Sequence, residues 1–420
     1  MVSLKQVFAF GLMLSLSVSV AVAGASAEKV LKIGGMAPLT GPSAKTGQEI
    51  KQSAEMAFAE AGNKVGDYKI EMVWIDSQSD PAKATNAYAE AVERKGIQVG
   101  LLNWHSSVAI AVMDLAAKYK IPHLFGIGGS SVINEKYVSN PEKYGGYWLK
   151  SWPVPKKTMH AYVEFLEEAM AKGIYKPENK KVVIFADDTD WGRDIISGGK
   201  KMFTEKGWEV VSEDLIPTNQ TEFYPLLTKW KKMKPALVFG SHAFPVAITS
   251  LIKQAKEVGL RVPMICDGLG WAGEWYSLTG SASDYVVDMT QKLATDQAKA
   301  WAKNYEDKYG NKPSPSSGGL AYDSAKFFIK LAERTLEKTG GLNSENLRQV
   351  VLDELITGKL TYTAADGAIT VNRFQYNAAS LPDPVVGIDD WFLPVIQYKG
   401  GKGKVVFPKA WAEADFHVVK

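Results

Sequence analysis

Cysteine is almost missing from this sequence. Of 420 residues only Cys266 carries a thiol, so neither an intrachain disulfide nor a cysteine-cluster metal site can form. Histidine is scarce as well, five in all, which leaves little material for a zinc centre. Neither sign of charge dominates: 49 Lys and Arg face 46 Asp and Glu, a formal net charge of +3. That balance argues against a nucleic-acid partner, which would call for a basic stripe. Beyond residue 27 no stretch approaches the roughly 20 apolar residues that span a bilayer. Internal low-complexity segments are lacking too. What remains, 46% hydrophobic and 23% charged, is ordinary globular composition, and a prior of about 150 residues per domain predicts two or three domains.

Catalytic signatures are equally thin. There is no G-x-S-x-G elbow and no H-E-x-x-H pair. Gly126-Ile127-Gly128-Gly129-Ser130-Ser131 follows a strand but lacks the third glycine of a dinucleotide fingerprint and the Gly-Lys-Ser/Thr of a P-loop. Its amides and hydroxyls suit an anion. Asp187-Asp188-Thr189-Asp190 offers oxygens to a hard cation, yet acidic loops after strands are ordinary helix caps, and Asp190 is expected to be one. His105 and Ser106 are neighbours with no candidate orienting acid. The chain is therefore expected to bind rather than catalyse, with no metal and no cofactor.

The N-terminus is informative. Lys5, the apolar run from Val7 to Ala23 and the small residues Ala25-Ser26-Ala27 predict a secretory signal over residues 1–27, cleaved before Glu28. Export with a single cysteine fits a bacterial periplasm.

After residue 27 strands and helices alternate. Strands are expected at 30–36, 68–75, 99–102 and 121–126, with helices at 47–61, 81–95 and 107–118 between them. The pattern resumes with strands at 181–186, 208–215, 236–240 and 262–266 and helices at 191–206, 222–233 and 245–258. Such alternation predicts an α/β fold of two doubly wound parallel-sheet lobes. The tail differs: helices at 293–309, 317–338 and 344–355, a hairpin over 360–371 turning at Ala365-Asp366-Gly367, and strands at 392–398 and 405–407. A late strand after so much helix suggests that the chain crosses back between lobes.

Polar residues fall at strand ends, where open α/β sheets bind ligands. In the first lobe these are Trp104, His105, Ser106 and Ser107, then Gly128, Gly129 and Ser130; Ser106 or Ser107 is expected to cap a helix starting near Val108. A cap hydroxyl with first-turn amides makes a carboxylate site. In the second lobe the strand ends carry Trp191, then Ser241-His242, then Asp267-Gly268. Asp267 opposite an anion pocket suits an ammonium group, and Trp104 and Trp191 could wall a side chain or simply pack in the core.

Several segments resemble the branched-chain amino-acid-binding (Leu/Ile/Val-binding-like) proteins of bacterial ABC importers, type I periplasmic solute-binding proteins. They are Ile33-Gly34-Gly35-Met36-Ala37-Pro38-Leu39-Thr40-Gly41-Pro42, Asp76-Ser77-Gln78-Ser79-Asp80-Pro81-Ala82-Lys83-Ala84, His105-Ser106-Ser107, Asp190-Trp191-Gly192-Arg193-Asp194 and Phe223-Tyr224-Pro225-Leu226-Leu227. The resemblance implies two lobes joined by a three-crossover hinge, crossing near Trp152, Val286 and Phe392 and closing on a ligand. It divides the chain into 28–151 plus 289–391 and 152–288 plus 392–420. By position, Ser106 resembles the family serine that holds a ligand carboxylate, Gly128 and Ser130 its companions, and Asp267 the acidic partner of the ammonium group. His242 and Trp191 stand where the family often has tyrosines, and Thr46 replaces an aromatic residue near the ligand side chain. The implied function is an extracytoplasmic solute-binding subunit for a small amino acid of the branched-chain type. The alternatives are an amide, an aromatic or aliphatic carboxylate, or an exported ligand sensor. The implied partners are that ligand and an inner-membrane ABC permease, with the protein itself a monomer.

Overall fold

The computed structural model describes residues 28–419. The expected signal segment, 1–27, lies outside the described residues. Fifteen short strands among these residues form two main sheets and a small ribbon.

The first sheet holds β1 (Lys29–Ala37), β2 (Lys64–Val65), β3 (Tyr68–Asp76), β4 (Val99–Leu101), β5 (His123–Gly126) and β6 (Trp148–Lys150), in the order β2-β3-β1-β4-β5-β6. All its pairings are parallel except β2 with β3. The second holds β7 (Lys181–Asp187), β8 (Glu209–Ile216), β9 (Leu237–Ser241), β10 (Met264–Asp267) and β11 (Val287–Met289). A ribbon of β12 (Tyr362–Thr363) and β13 (Arg373–Phe374) comes next, and β14 (Val395–Lys399) and β15 (Lys402–Phe407) then return to the second sheet, ordered β15-β14-β11-β10-β9-β7-β8.

Strands this apolar need cover on both faces. In β7, Val182, Ile184 and Ala186 enter one apolar cluster while Val183 and Phe185 enter another, the two-residue period of a strand. The helices between strands supply the cover. The late helices Asp296–Tyr309 and Leu320–Thr339 pack on the first lobe: Phe328 meets Phe58 edge-on at 6.3 Å, and the Tyr305 hydroxyl donates to Gln52 Oε1 at 2.5 Å. One continuous cluster runs from the first lobe through Trp104, Trp152, Trp191 and Trp271 into the second.

The structure corrects several details. The expected 360–371 hairpin is instead a pair of two-residue strands whose second arm, β13, starts at Arg373; residues 364–372 are the connection. The edge strands β2 and β6 are too short to show a period. The second sheet is not parallel throughout, because β14 and β15 join it antiparallel.

Two resembling segments prove to meet each other. The Asp76 carboxylate accepts bonds from the amides of Leu39, Thr40 and Gln78 and from the Thr40 hydroxyl at 2.6 Å, which ties the turn after β1 to the turn after β3. Asp80 then caps the helix Pro81–Glu93 through the Lys83 amide at 2.9 Å.

Candidate ligand site in the cleft between the lobes

The C-terminal ends of the strands in the two sheets face each other across a narrow cleft. The first lobe contributes Trp104, His105, Ser106, Ile127 and Gly129; the second contributes Thr189, Trp191, Ala243 and Trp271, and Trp152 stands where the chain crosses. Four of the twelve tryptophans thus converge here. Trp271 is central: Trp104, Trp152 and Trp191 stand edge to face with it at 5.6, 5.6 and 5.8 Å. Gly129 is a glycine by necessity, since a Cβ there would come within 2.5 Å of the Trp191 ring.

Helix starts supply the polar groups. The helix Ser106–Tyr119 begins at the cavity wall with His105 in the N-cap position, so its first amides and positive dipole end face the cleft. This corrects the expected start near Val108: Ser106 is already helical, and its Oγ accepts from the Ser130 amide at 3.0 Å. In the second lobe Thr189, not Asp190, caps the helix Asp190–Glu205, accepting from the Gly192 amide at 3.3 Å and donating to Asp187. Trp191 Nε1 donates to Ser241 Oγ at 3.0 Å. The indole N–H groups of Trp104 and Trp271 are buried and lack a partner among the described residues, as does His105 Nε2. Burial pushes the His105 pKa down to about 3, so the ring is neutral. Among the described residues no Asp, Glu, Lys or Arg lines the cleft.

Of the expected site residues, Trp104, Ser106 and Trp191 line this space. Gly128 and Ser130 flank it without lining it: the Gly128 amide donates to Asn103 Oδ1 at 3.3 Å, and Ser130 Oγ caps the helix Ser131–Ser139. Ser107 is half-buried one step along its helix. Thr46 is fully buried outside the lining, its hydroxyl without a partner among the described residues. His242 is buried beside the lining residue Ala243, its Nδ1 accepting from the Phe244 amide at 3.3 Å. Asp267 does not line the cleft. It is buried at the end of β10 and accepts from the Tyr162 hydroxyl at 2.9 Å; burial and the neighbouring carboxylate of Asp288 raise its pKa well above the usual carboxylate range. A carboxyl whose ionised form is disfavoured in this way is a poor partner for an ammonium group.

Sequence reasoning overlooked Trp152 and Trp271 as site residues. The available signal was position: Trp271 follows the end of β10 by four residues, and Trp152 follows β6 by two.

A family profile described as periplasmic binding protein matches residues 30–377. The chain belongs to that family. Among curated proteins, this periplasmic binding protein is 28% identical over 238 residues to the Leu/Ile/Val-binding protein homolog 6 of Brucella suis biovar 1, an alignment spanning 56% of this chain and 57% of that protein. Its match to the Brucella abortus homolog 6 is also 28%, over 51% of this chain and 52% of the relative. The chain thus spans little more than half the length of these relatives. A solute binding protein of an ABC transporter from Rhodopseudomonas palustris, solved with 3,4-dihydroxy benzoic acid, superposes with a TM-score of 0.73 at 20% identity, covering 93% of this chain and 98% of that one. A branched-chain amino acid transporter substrate binding protein from Streptococcus pneumoniae, solved with isoleucine, superposes at 0.71 with 17% identity, covering 89% and 98%. These neighbours establish the fold: two α/β lobes around a cleft. Among the described residues no helix is long and apolar enough to cross a membrane.

Proposed function

We propose that this periplasmic binding protein captures a small carboxylic acid with a compact apolar body, aromatic or branched aliphatic, and delivers it to an ABC permease as a binder rather than an enzyme. The observation that carries this reading is the composition of the cleft: four indoles, two helix starts, one of them with the Ser106 hydroxyl, and, among the described residues, no ionised side chain in its lining. The indoles take the apolar body, while the first-turn amides of the 106–119 helix and Ser106 take the carboxylate. Ser106, Trp104, Trp191, Trp152 and Trp271 are the ligand contacts in this reading. The bodies 28–151 plus 289–391 and 152–288 plus 392–420 move as the two jaws. Export through a signal at 1–27 would place the protein in the periplasm.

The amino-acid reading is supported by the names of the Leu/Ile/Val-binding relatives. It requires an acceptor for the ammonium group, and Asp267 does not line the cleft. Calorimetric titration with benzoate, 4-methylpentanoate and leucine separates the two, because the second is leucine without its amine. Binding of benzoate or 4-methylpentanoate, weakened at least about tenfold by Ser106→Ala, is the expected result. Binding of leucine with none of 4-methylpentanoate or benzoate would overturn the acid reading.

A further inference from the structure

Trp271 rides on a loop that both lobes hold. On the second-lobe side, the Asp288 carboxylate in β11 accepts from the amides of Gly268 at 3.1 Å and Gly270 at 2.8 Å. On the first-lobe side, the Ser314 hydroxyl donates to the Gly270 carbonyl at 2.6 Å and the Ser317 hydroxyl to the Trp271 carbonyl at 2.8 Å. The Glu49 carboxylate, from the helix Ala44–Glu60, accepts from the Gly273 amide at 3.2 Å. It also gathers the Ser314 amide, the Ser317 hydroxyl at 3.0 Å and the Gly318 amide at 3.3 Å. The approach is close: a Cβ at Gly273 would stand 1.9 Å from the Lys312 carbonyl oxygen.

We propose that Glu49 is a positioning residue for the ligand site, a latch that docks the 270–273 loop of the second lobe onto the first and so sets Trp271 as the shared wall of the cleft. This rests on the reading of the cleft as the ligand site, but the latch itself acts without ligand. It also has a proton inside it. Ser317 has one hydroxyl hydrogen and two acceptors, Glu49 and the Trp271 carbonyl. With Glu49 protonated, its O–H can donate to Ser317 Oγ, and Ser317 is free to donate to the loop. With Glu49 ionised, the Ser317 hydrogen is drawn to the carboxylate and the loop loses a donor. Burial pushes the Glu49 pKa up to about 7, against the opposing pull of its hydrogen bonds. The charged and titratable groups around it are Lys45, paired with Glu274 at 2.9 Å, and Tyr305, whose hydroxyl is engaged with Gln52. Undocking returns the carboxyl to water and its ordinary value, so docking takes up a proton. Docking is therefore favoured as pH falls and weakens as pH rises through about 7.

The test uses ligand-free protein with nitroxide labels at Val138→Cys and Val246→Cys, exposed positions on opposite lobes, and measures their separation by pulsed dipolar spectroscopy. The range is pH 6.5 to 8.5; in the docked form burial lowers the pKa of His105 to about 3 and pushes that of His242 in the same direction, away from it. The wild-type ratio of long to short separations should rise about fourfold over that range. Glu49→Gln, a neutral stand-in for the protonated acid, should hold the ratio near its wild-type pH 6.5 value over the whole range and so remove its pH dependence. Ser317→Ala, which leaves Glu49 in place but removes the donor to the Trp271 carbonyl, should lengthen the separation at pH 6.5 and covers the case in which Glu49→Gln does not fold. Wild-type separations at both pH values in the folded variants would overturn the latch. Because no ligand is present, that failure is distinct from a failure of the acid reading.

Discussion

The carboxyl of Asp267 shares its buried surroundings with that of Asp288, and two like charges there repel. Asp288 accepts from three amides and the Tyr398 hydroxyl, which favours its ionised form over that of its neighbour. Burial raises the Asp267 pKa, and its side chain does not line the cleft, so Asp267→Asn removes no ligand contact in this reading. Calorimetry with benzoate should show affinity changed by no more than about twofold. A loss of a hundredfold would place an ammonium-binding charge at Asp267. The strand-end rule pointed to Trp104, Ser106 and Trp191, which line the cleft a few residues beyond β4 and β7. Asp267 ends β10 and His242 directly follows β9, and neither lines it; Asp267 accepts from the Tyr162 hydroxyl and His242 from the Phe244 amide. Glu49 was missed although the signal was present: it lies on the stripe of Thr46, Ile50, Ser53, Ala54 and Ala57, a buried acid where only apolar or small residues are expected.

At the scale of elements, the long strands were legible because helices cover both faces and leave continuous apolar runs. The two-residue strands and the antiparallel return of β14 and β15 were not, since pairing partners far away in the chain decide them. The resembling segment 76–84 is structural, as the roles of Asp76 and Asp80 show. Asp80→Ala should cost about 1 kcal/mol of stability through the lost cap and leave ligand affinity unchanged, by denaturant unfolding and calorimetry. A second case is the junction of the Leu320–Thr339 helix with the turn 351–355. Arg334 donates to both oxygens of Glu354 at 2.8 and 2.9 Å, and Lys338 stands 2.9 Å from one of them. These bonds, Arg334 first, hold the Glu354 pKa down at about 2. A depressed carboxylate stabilises the fold above its unfolded value near 4.5, and that contribution is lost as pH falls through about 2. Glu354→Gln should therefore melt below wild type at pH 7, with the gap closing as the pH of the scan falls from 4.5 toward 2. A gap independent of pH would mean packing, not charge, joins these elements.

For the whole molecule, the cleft exists only where the lobes meet, and the contacts flanking it are polar and reversible. Ser131 Oγ donates to Asp194 at 2.8 Å on one side, and Lys45 pairs with Glu274 at 2.9 Å on the other. Surface pairs of this kind contribute little each, which suits a joint that must open. The apolar cluster through the four tryptophans supplies the closing force, and an apolar ligand body extends it. Native mass spectrometry of the protein purified under non-denaturing conditions from its own exporting cell tests this most directly, with the released molecule identified by accurate mass and fragmentation. The account predicts one small carboxylic acid without an amine, bound one per chain and lost from Ser106→Ala. Release of an amino acid, or of a molecule with no carboxylate, would contradict it.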